Sequence, residues 1–321
     1  MTIKGILVTA VAPMSDHIAN GGEKILGNAS SIKRRPDGRV YISGQKQRHA
    51  LFSAVASLND NPDTRVTNGD GISAELETDL RADLGGFLHT SKETYSGRRS
   101  APLTATPAVA MKESEIGRDL LIRLKVTSGK DEDSKSQALA TREFSQDDLM
   151  VMSFHVDVGA VSFRKYYRYA DVKGVKGVHL ETLFARFAPE DERKRRIRLA
   201  LEATSALTDY ANNARNATSA EPQKVLIVFD TRLSRKACRY YKDGVSEHER
   251  NCMLEEIKER GGTFFLGDDT DPAVGVLSVA QAYKKALAFL DANDIFNPQP
   301  GSEPITTEQF EKQSTPEPKK K

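Results

Sequence analysis

Three apolar, strand-like runs constrain this chain most: Ile3 to Ala12, Leu149 to Phe163 and Lys224 to Asp230. The first and third are short and rich in β-branched residues, and the second alternates about an apolar face, so each reads as a buried strand. Pro13 ends the first by removing a donor. Such strands need helices to cover them. Gln45 to Leu58 puts Ala50, Leu51, Ala54, Val55 and Leu58 on one helical face, and Pro189 to Asn216, Glu247 to Arg260 and Val276 to Ala292 have the same character, with a further strand at Thr263 to Leu266. The pattern predicts a mixed α and β fold.

A length of 321 residues fits one large domain or two ordinary ones, and 38% hydrophobic content suffices for a core. The opening KGILVTAVAP is too short an apolar run for a signal peptide, and no run is long enough to span a bilayer, so a cytoplasmic protein without membrane contacts is expected. Cys238 and Cys252 lie far apart without a second pair or a His at metal spacing, which predicts reduced thiols and neither cofactor nor metal.

Charge is concentrated in one place. Between Glu23 and His49 the chain carries Lys24, Lys33, Arg34, Arg35, Arg39, Lys46 and Arg48 against Glu23 and Asp37, while the whole chain has a net charge of only +2. The Asp37-Gly38 turn introduces a strand at Val40 to Ile42, and a helix then starts near Gln45. Free N–H groups at that start, next to Lys46 and Arg48, suit phosphate through donors, dipole and fixed charge together.

Elsewhere, Asn59 to Ser100 is turn-rich and ends in a second basic knot, Arg98 and Arg99. Leu103 to Met111 reads as a strand interrupted at Pro107. Leu120, Ile122, Leu124 and Val126 alternate with Leu121, Arg123, Lys125 and Thr127, and a polar turn returns the chain through Ala138 to Ser145, which predicts a projecting hairpin. In RKRRIR, spacing pairs Glu190 with Lys194, Asp191 with Arg195 and Glu192 with Arg196, as on a solvated helix face. Residues 297–321 lack the apolar content for a core and read as a disordered tail.

Chemistry has few footholds. Ser15, Asp16 and His17 are placed in a loop after the first strand, GDDTD (Gly267 to Asp271) reads as a turn more readily than a cation site, and His155 and His179 read as core histidines. There is no Gly-x-x-x-x-Gly-Lys loop and no visible nucleophile triad. FRKYYRY, Phe163 to Tyr169, fits either a base-stacking strand or a half-buried strand end.

Three segments in consistent order, between Ile3 and Tyr169, carry a resemblance to a known family. SGQKQRHALF after a basic strand resembles the small-residue, Gln, basic-helix signature of the backbone subunit of CRISPR type I (Cascade) effector complexes, in the DevR branch of the RAMP superfamily. DLGGFLHT followed by RRSAPLTATPAVAM resembles that branch's Gly-rich turn, Arg and Pro-interrupted strand, and LMVMSFHVDVGAVSF sits where its central strand follows a thumb. Gly44 departs from the second Ser common there.

The resemblance implies an α+β, RRM-like (ferredoxin-type) palm over residues 1–296, with fingers at about 59–100, a β-hairpin thumb at about 112–149 and the tail at 297–321. It implies a non-catalytic subunit that oligomerises along a guide RNA (crRNA), with other CRISPR effector subunits as partners and target nucleic acid, DNA before RNA, read by base pairing. RNA-facing positions would be Lys33, Arg34, Arg35, Ser43, Gln45, Lys46, Arg48, His49, Arg98 and Arg99. The thumb would offer Leu121, Arg123, Lys125 and Phe144, with Leu121 or Phe144 filling the gap left by a displaced base. The alternative is a type III-like subunit that cleaves target RNA with a metal through Asp16; an unrelated α/β enzyme built on KVLIVFD is a third reading.

Overall fold

The computed structural model describes residues 1–24, 29–68, 73–90, 96–125, 136–214 and 216–314. In chain order its main elements are β1 (Gly5–His17), β2 (Tyr41–Ile42), α1 (Gly44–Leu58), α2 (Leu80–Gly85), β3 (Leu103–Ala105), β4 (Ala108–Ala110), β5 (Ile116–Lys125) and β6 (Ser136–Asp157). There follow β7 (Phe163–Val172), β8 (Val175–Arg186), α3 (Glu190–Ala203), β9 (Lys224–Asp230), α4 (Glu247–Glu259), β10 (Thr263–Asp268), α5 (Val279–Ala292) and α6 (Thr307–Ser314).

The sheet runs β10-β9-β1-β6, each strand antiparallel to its neighbour. On the far side of β6, β3 and β4 pair with its second half and β5 with its first, while β2 pairs with β4. Strand alternation divides the core. Ile6, Val8, Ala10, Met152, Phe154, Ile227 and Phe229 face a layer of α1, α3 and α5. Leu7, Leu226 and Val228 face the other way, against Ile257 of α4 and against Ala237, which precedes that helix.

Several expectations change. Pro13 does not end the first strand: β1 continues to His17, and Ser15, Asp16 and His17 lie in it rather than in a loop. The reason is that β9 accompanies β1 only to Val11, so Pro13, opposite Leu149, has one neighbouring strand and its missing donor can lie on the open side. The hairpin return and the central strand are one 22-residue strand, β6, because its second half is zipped to β1 from Ser145 to Asp157. The strand also ends earlier than predicted, at a 3-10 turn over Val158–Ala160.

Phe163 opens a second ribbon, β7–β8, whose strands pair with each other and, among the described residues, with no further strand beyond a single bridge from Arg186 to Pro304. The predicted helix to Asn216 stops at Ala203, where Thr204 Oγ1 donates to Leu201 O at 2.6 Å and closes the last turn. Residues 297–314 are not a disordered tail. Ile305 N donates to Arg186 O at 2.8 Å, and α6 buries Phe310 completely, its ring 5.5 Å from that of Phe187. Residues 315–321 lie outside the described ones.

RKRRIR is not a solvated face either. Arg193 and Arg196 are fully buried, and of the predicted pairs only Glu192 with Arg196 forms; Glu190 takes Arg193 and Glu192 also takes Arg195. Arg196 and Arg99 converge on the buried Asp83 of α2, at 2.8 and 2.6 Å, and Ser162 donates to the same carboxylate from its N–H (2.8 Å) and Oγ (2.7 Å). Burial alone would raise the Asp83 pKa; the two guanidiniums outweigh it and hold the carboxyl below its ordinary range. This knot joins α2 and the segment before β3 to α3 and the foot of the β7–β8 ribbon.

Candidate nucleic-acid interface

The basic loop and the start of α1 hang from the same short strand. β2 pairs with β4 and runs directly into Ser43, the N-cap of α1, whose Oγ accepts the Lys46 N–H at 3.3 Å. The N–H groups of Gly44 and Gln45 have no partner among the described residues. A side chain at Gly44 would be tight, since a Cβ there would lie 3.0 Å from Ala105 O. On the other side of β2, Arg35 N bonds Arg39 O and Gly38, with φ of 78°, closes the turn. Asn20 Nδ2 donates to Lys33 O (3.0 Å) and Tyr41 O (3.2 Å), clamping the loop to the strand.

The predicted contacts divide three ways. Lys33 and Arg35 make no ion pair with a described residue, and Gln45 is exposed. Lys46 is half-buried: desolvation draws its pKa down while Asp209 works against this. Arg34 reaches Glu143 at 3.4 Å, and His49 reaches Asp209 at 3.2 Å; both remain exposed enough to exchange partners.

Arg48 and Arg99 are not presented to a ligand. Arg48 donates to Gly85 O and lies 5.8 Å over the Phe52 ring, fastening α1 to α2, and burial lowers its pKa. Arg99 is consumed by Asp83, Phe163 O and Ala160 O. The helical register shows why: position 48 is one turn past the exposed start and turns toward α2. The side chains of Arg98, Leu121, Arg123 and Lys125 lie outside the described ones. Phe144 is spent inside the hairpin, where it sits opposite Gly117 and fills the space a Cβ there would occupy, so it is an unsuitable wedge for a displaced base.

Two residues that sequence reasoning missed set the pose of α1. Gln47 is fully buried, accepts from Tyr210 Oη at 2.5 Å and points Nε2 at Met152 Sδ. A Gln between basic residues gives no sign of burial, and its partners lie more than a hundred residues away. Glu143, also missed, accepts from Ile32 N, Arg34 and Arg118, tying the hairpin base to the basic loop.

His17, Asp148 and Ser114 come together, but in a structural order. His17 Nε2 meets Asp148 Oδ2 at 2.9 Å, Ser114 Oγ donates to Asp148 Oδ1 at 2.6 Å, and Ala19 N approaches His17 Nδ1 at 3.4 Å. The serine is on the carboxylate rather than on the imidazole, which has no nitrogen left to activate it. Asp268, in GDDTD, accepts from Thr270 N and Oγ1 and pairs with Lys224, as a turn residue does. Among the described residues no group of His, Cys, Asp and Glu is placed to hold a metal.

A family model described as CRISPR-associated negative auto-regulator DevR/Csa2 matches residues 48–231, from within α1 to the end of β9. The chain belongs to the DevR/Csa2 family. A solved chain described as part of a CRISPR RNA-guided surveillance complex matches with a TM-score of 0.53 at 14% identity, over 89% of this chain and 99% of that one. A second, from a CRISPR RNA-guided surveillance complex in a pre-nicking state, matches with a TM-score of 0.52 at 12% identity, over the same shares. At these identities the likeness is one of fold. No curated protein matches. The resemblance read in the sequence is thus borne out at the level of the family, and the fold is mixed α+β; no described helix is long and apolar enough to cross a membrane.

Proposed function

We propose that this DevR/Csa2 family member is a guide-RNA-binding backbone subunit of a CRISPR effector complex, built on an RRM-like palm. The observation that carries the reading is the convergence on β2 of Lys33 and Arg35 with the α1 start, where the Gly44 and Gln45 N–H groups and Lys46 meet. These groups read sugar and phosphate and carry no base code, as a subunit that accepts any guide requires. Arg34 and His49 join the contact by exchanging their weak acidic partners for phosphate.

Two ribbons leave the sheet. We assign contact with a neighbouring copy to β7–β8, which exposes Tyr167, Val172, Val175 and Leu180 on a ribbon with no third strand among the described residues. The predicted thumb, β5–β6, crosses the guide, with its tip outside the described residues. Base pairing by the guide then selects the target, with DNA the expected kind, and the subunit itself does no chemistry.

The test is fluorescence anisotropy of a labelled repeat-spacer transcript over a salt series. Replacing Lys33, Arg35 and Lys46 with Ala is expected to weaken binding and to reduce the log-log salt slope by about two, at roughly 0.7 per phosphate contact on a single strand. An unchanged slope overturns the site.

A further inference from the structure

The sheet face away from α1 carries a second basic surface that guide binding at α1 does not use. Between β9 and α4 the chain crosses that face as TRLSRKACRYYKDGVS, and a 3-10 turn, Lys236–Arg239, sets Ala237 down on Leu7, Leu226 and Val228. Thr9 Oγ1 donates to Ala237 O at 3.4 Å and Ser153 Oγ to Cys238 O at 3.5 Å, so the turn is fastened to β1 and β6. With Ala237 turned inward, Arg232, Arg235, Lys236, Arg239 and Lys242 are all exposed. Lys236 pairs with Glu256; the other four make no side-chain hydrogen bond or ion pair with a described residue. The only acid between Thr231 and Val245 is Asp243.

Alongside lies a groove of about 700 Å³ walled by Tyr240, Tyr241, Val11 and Leu266, with Arg250 and Lys285 lining it as cations, Asp271 as an acid, and Lys224 neutralised by Asp268 at 2.8 Å. The two tyrosine rings meet edge to face at 4.9 Å, and the Arg250 guanidinium lies 5.9 Å over Tyr240. None of the four cations makes a close ion pair, although Asp157 lies within the field of Arg235 and Glu249 within that of Arg239, so folding gains little from gathering them. Cations beside half-buried aromatic rings at an apolar groove are the elements of single-strand recognition: fixed charge follows the phosphates and rings take the bases. An acidic protein would engage the charges and leave the tyrosines without a role.

We infer that this face is a second site for single-stranded nucleic acid, separate from the α1 start, with phosphates on Arg232, Arg235, Arg239 and Lys242 and a base in the groove against Tyr240 and Tyr241. The site does not rest on the guide-binding reading, since it uses none of the same residues, although Arg39 of the guide loop feels the Asp243 carboxylate at its edge.

The probe is fluorescein-labelled oligothymidylate titrated into the full chain at several salt concentrations. A variant with Arg232→Ser, Arg235→Ser, Arg239→Ser and Lys242→Ser, all exposed positions, is expected to bind at least tenfold more weakly and to lose about three units of salt slope. Bromodeoxyuridine in the same oligomer should cross-link to Tyr240 or Tyr241, and the cross-link should persist in the Lys33→Ala, Arg35→Ala, Lys46→Ala variant. That second variant separates a failure here from a failure of the guide site. Absent binding, an unchanged slope in the four-residue variant, or cross-links only elsewhere would overturn the proposal. So would equal competition by polyglutamate of matched charge with no tyrosine cross-link, which would assign the face to an acidic protein.

Discussion

Replacing Asp83 by Asn tests whether the buried charge knot organises the fold. In the native chain one carboxylate answers two guanidiniums and accepts the Ser162 N–H and Oγ, all at 2.6 to 2.8 Å and out of contact with water. Asparagine keeps the shape, removes the charge and turns an NH₂ donor toward donors. Arg99 and Arg196 are then two buried cations without their shared counter-charge, although Arg196 retains Glu192 at 2.7 Å. Breaking a buried pair from one side costs about 3–5 kcal/mol. That is a large share of the roughly 5–15 kcal/mol that holds a domain together. With a urea slope of about 3 kcal/mol/M, the midpoint should fall by about 1–1.7 M. The sign with pH follows from the depressed Asp83 pKa: the contribution is complete above the ordinary carboxylate range near 4 and disappears as pH falls through the lower folded value. Urea unfolding followed by circular dichroism at neutral pH measures it, and a midpoint within about 0.3 M of the parent would refute the reasoning.

Other expectations follow from single contacts. Burial holds the His155 pKa down at about 4, helped by Arg235, so the unfolded chain takes up a proton before the folded one does; stability should fall by on the order of 3 kcal/mol between pH 7 and pH 4, and a His155→Leu variant should lack that component in urea titrations at the two pH values. Phe310→Ala should cost about 3 kcal/mol and release α6, read as faster tryptic cleavage at Lys312; equal cleavage rates would show that α6 is not docked. Gly117→Ala forces a Cβ against the Phe144 ring and should destabilise by about 1–3 kcal/mol, whereas the Gly117→Ala, Phe144→Leu pair should recover part of that loss. Target RNA incubated with the guide-loaded protein and Mg²⁺ should stay intact, and cleavage that Asp16→Ala abolishes would replace the binding reading with a catalytic one.

Where local pattern and tertiary role agree, the sequence was readable. KVLIVFD is a strand at the predicted bounds because it is buried on both faces, and α1 starts at Ser43 because a serine N-cap precedes a clean apolar stripe. The β7–β8 ribbon was only half visible: its return strand, VKGVHLETLFAR, leaves much of its surface exposed and so lacks the alternation a covered sheet imposes. The helix α6 buries one aromatic in eight residues, too little for a periodic signal. Hardest to foresee were the buried arginines. Arg196 and Asp83 lie 113 positions apart, and a charge run on a helix looks the same whether it meets water or a distant carboxylate. The same limit applies to the site: Arg48 and Arg99 have the local pattern of phosphate contacts, and only distant neighbours bury them, while Ala237 and the tyrosines break up the run of exposed cations between β9 and α4.

The central claim is that copies of this chain line up on a guide by gripping its sugar-phosphate backbone at β2 and the α1 start. Purification from cells that also produce a repeat-spacer transcript, with size and the ratio of absorbance at 260 and 280 nm measured together, tests it most directly. The account predicts an RNA-containing assembly whose size grows in steps with spacer length and which collapses to bare protein when Lys33, Arg35 and Lys46 are replaced by Ala. A single chain free of RNA from the parent sequence would contradict it.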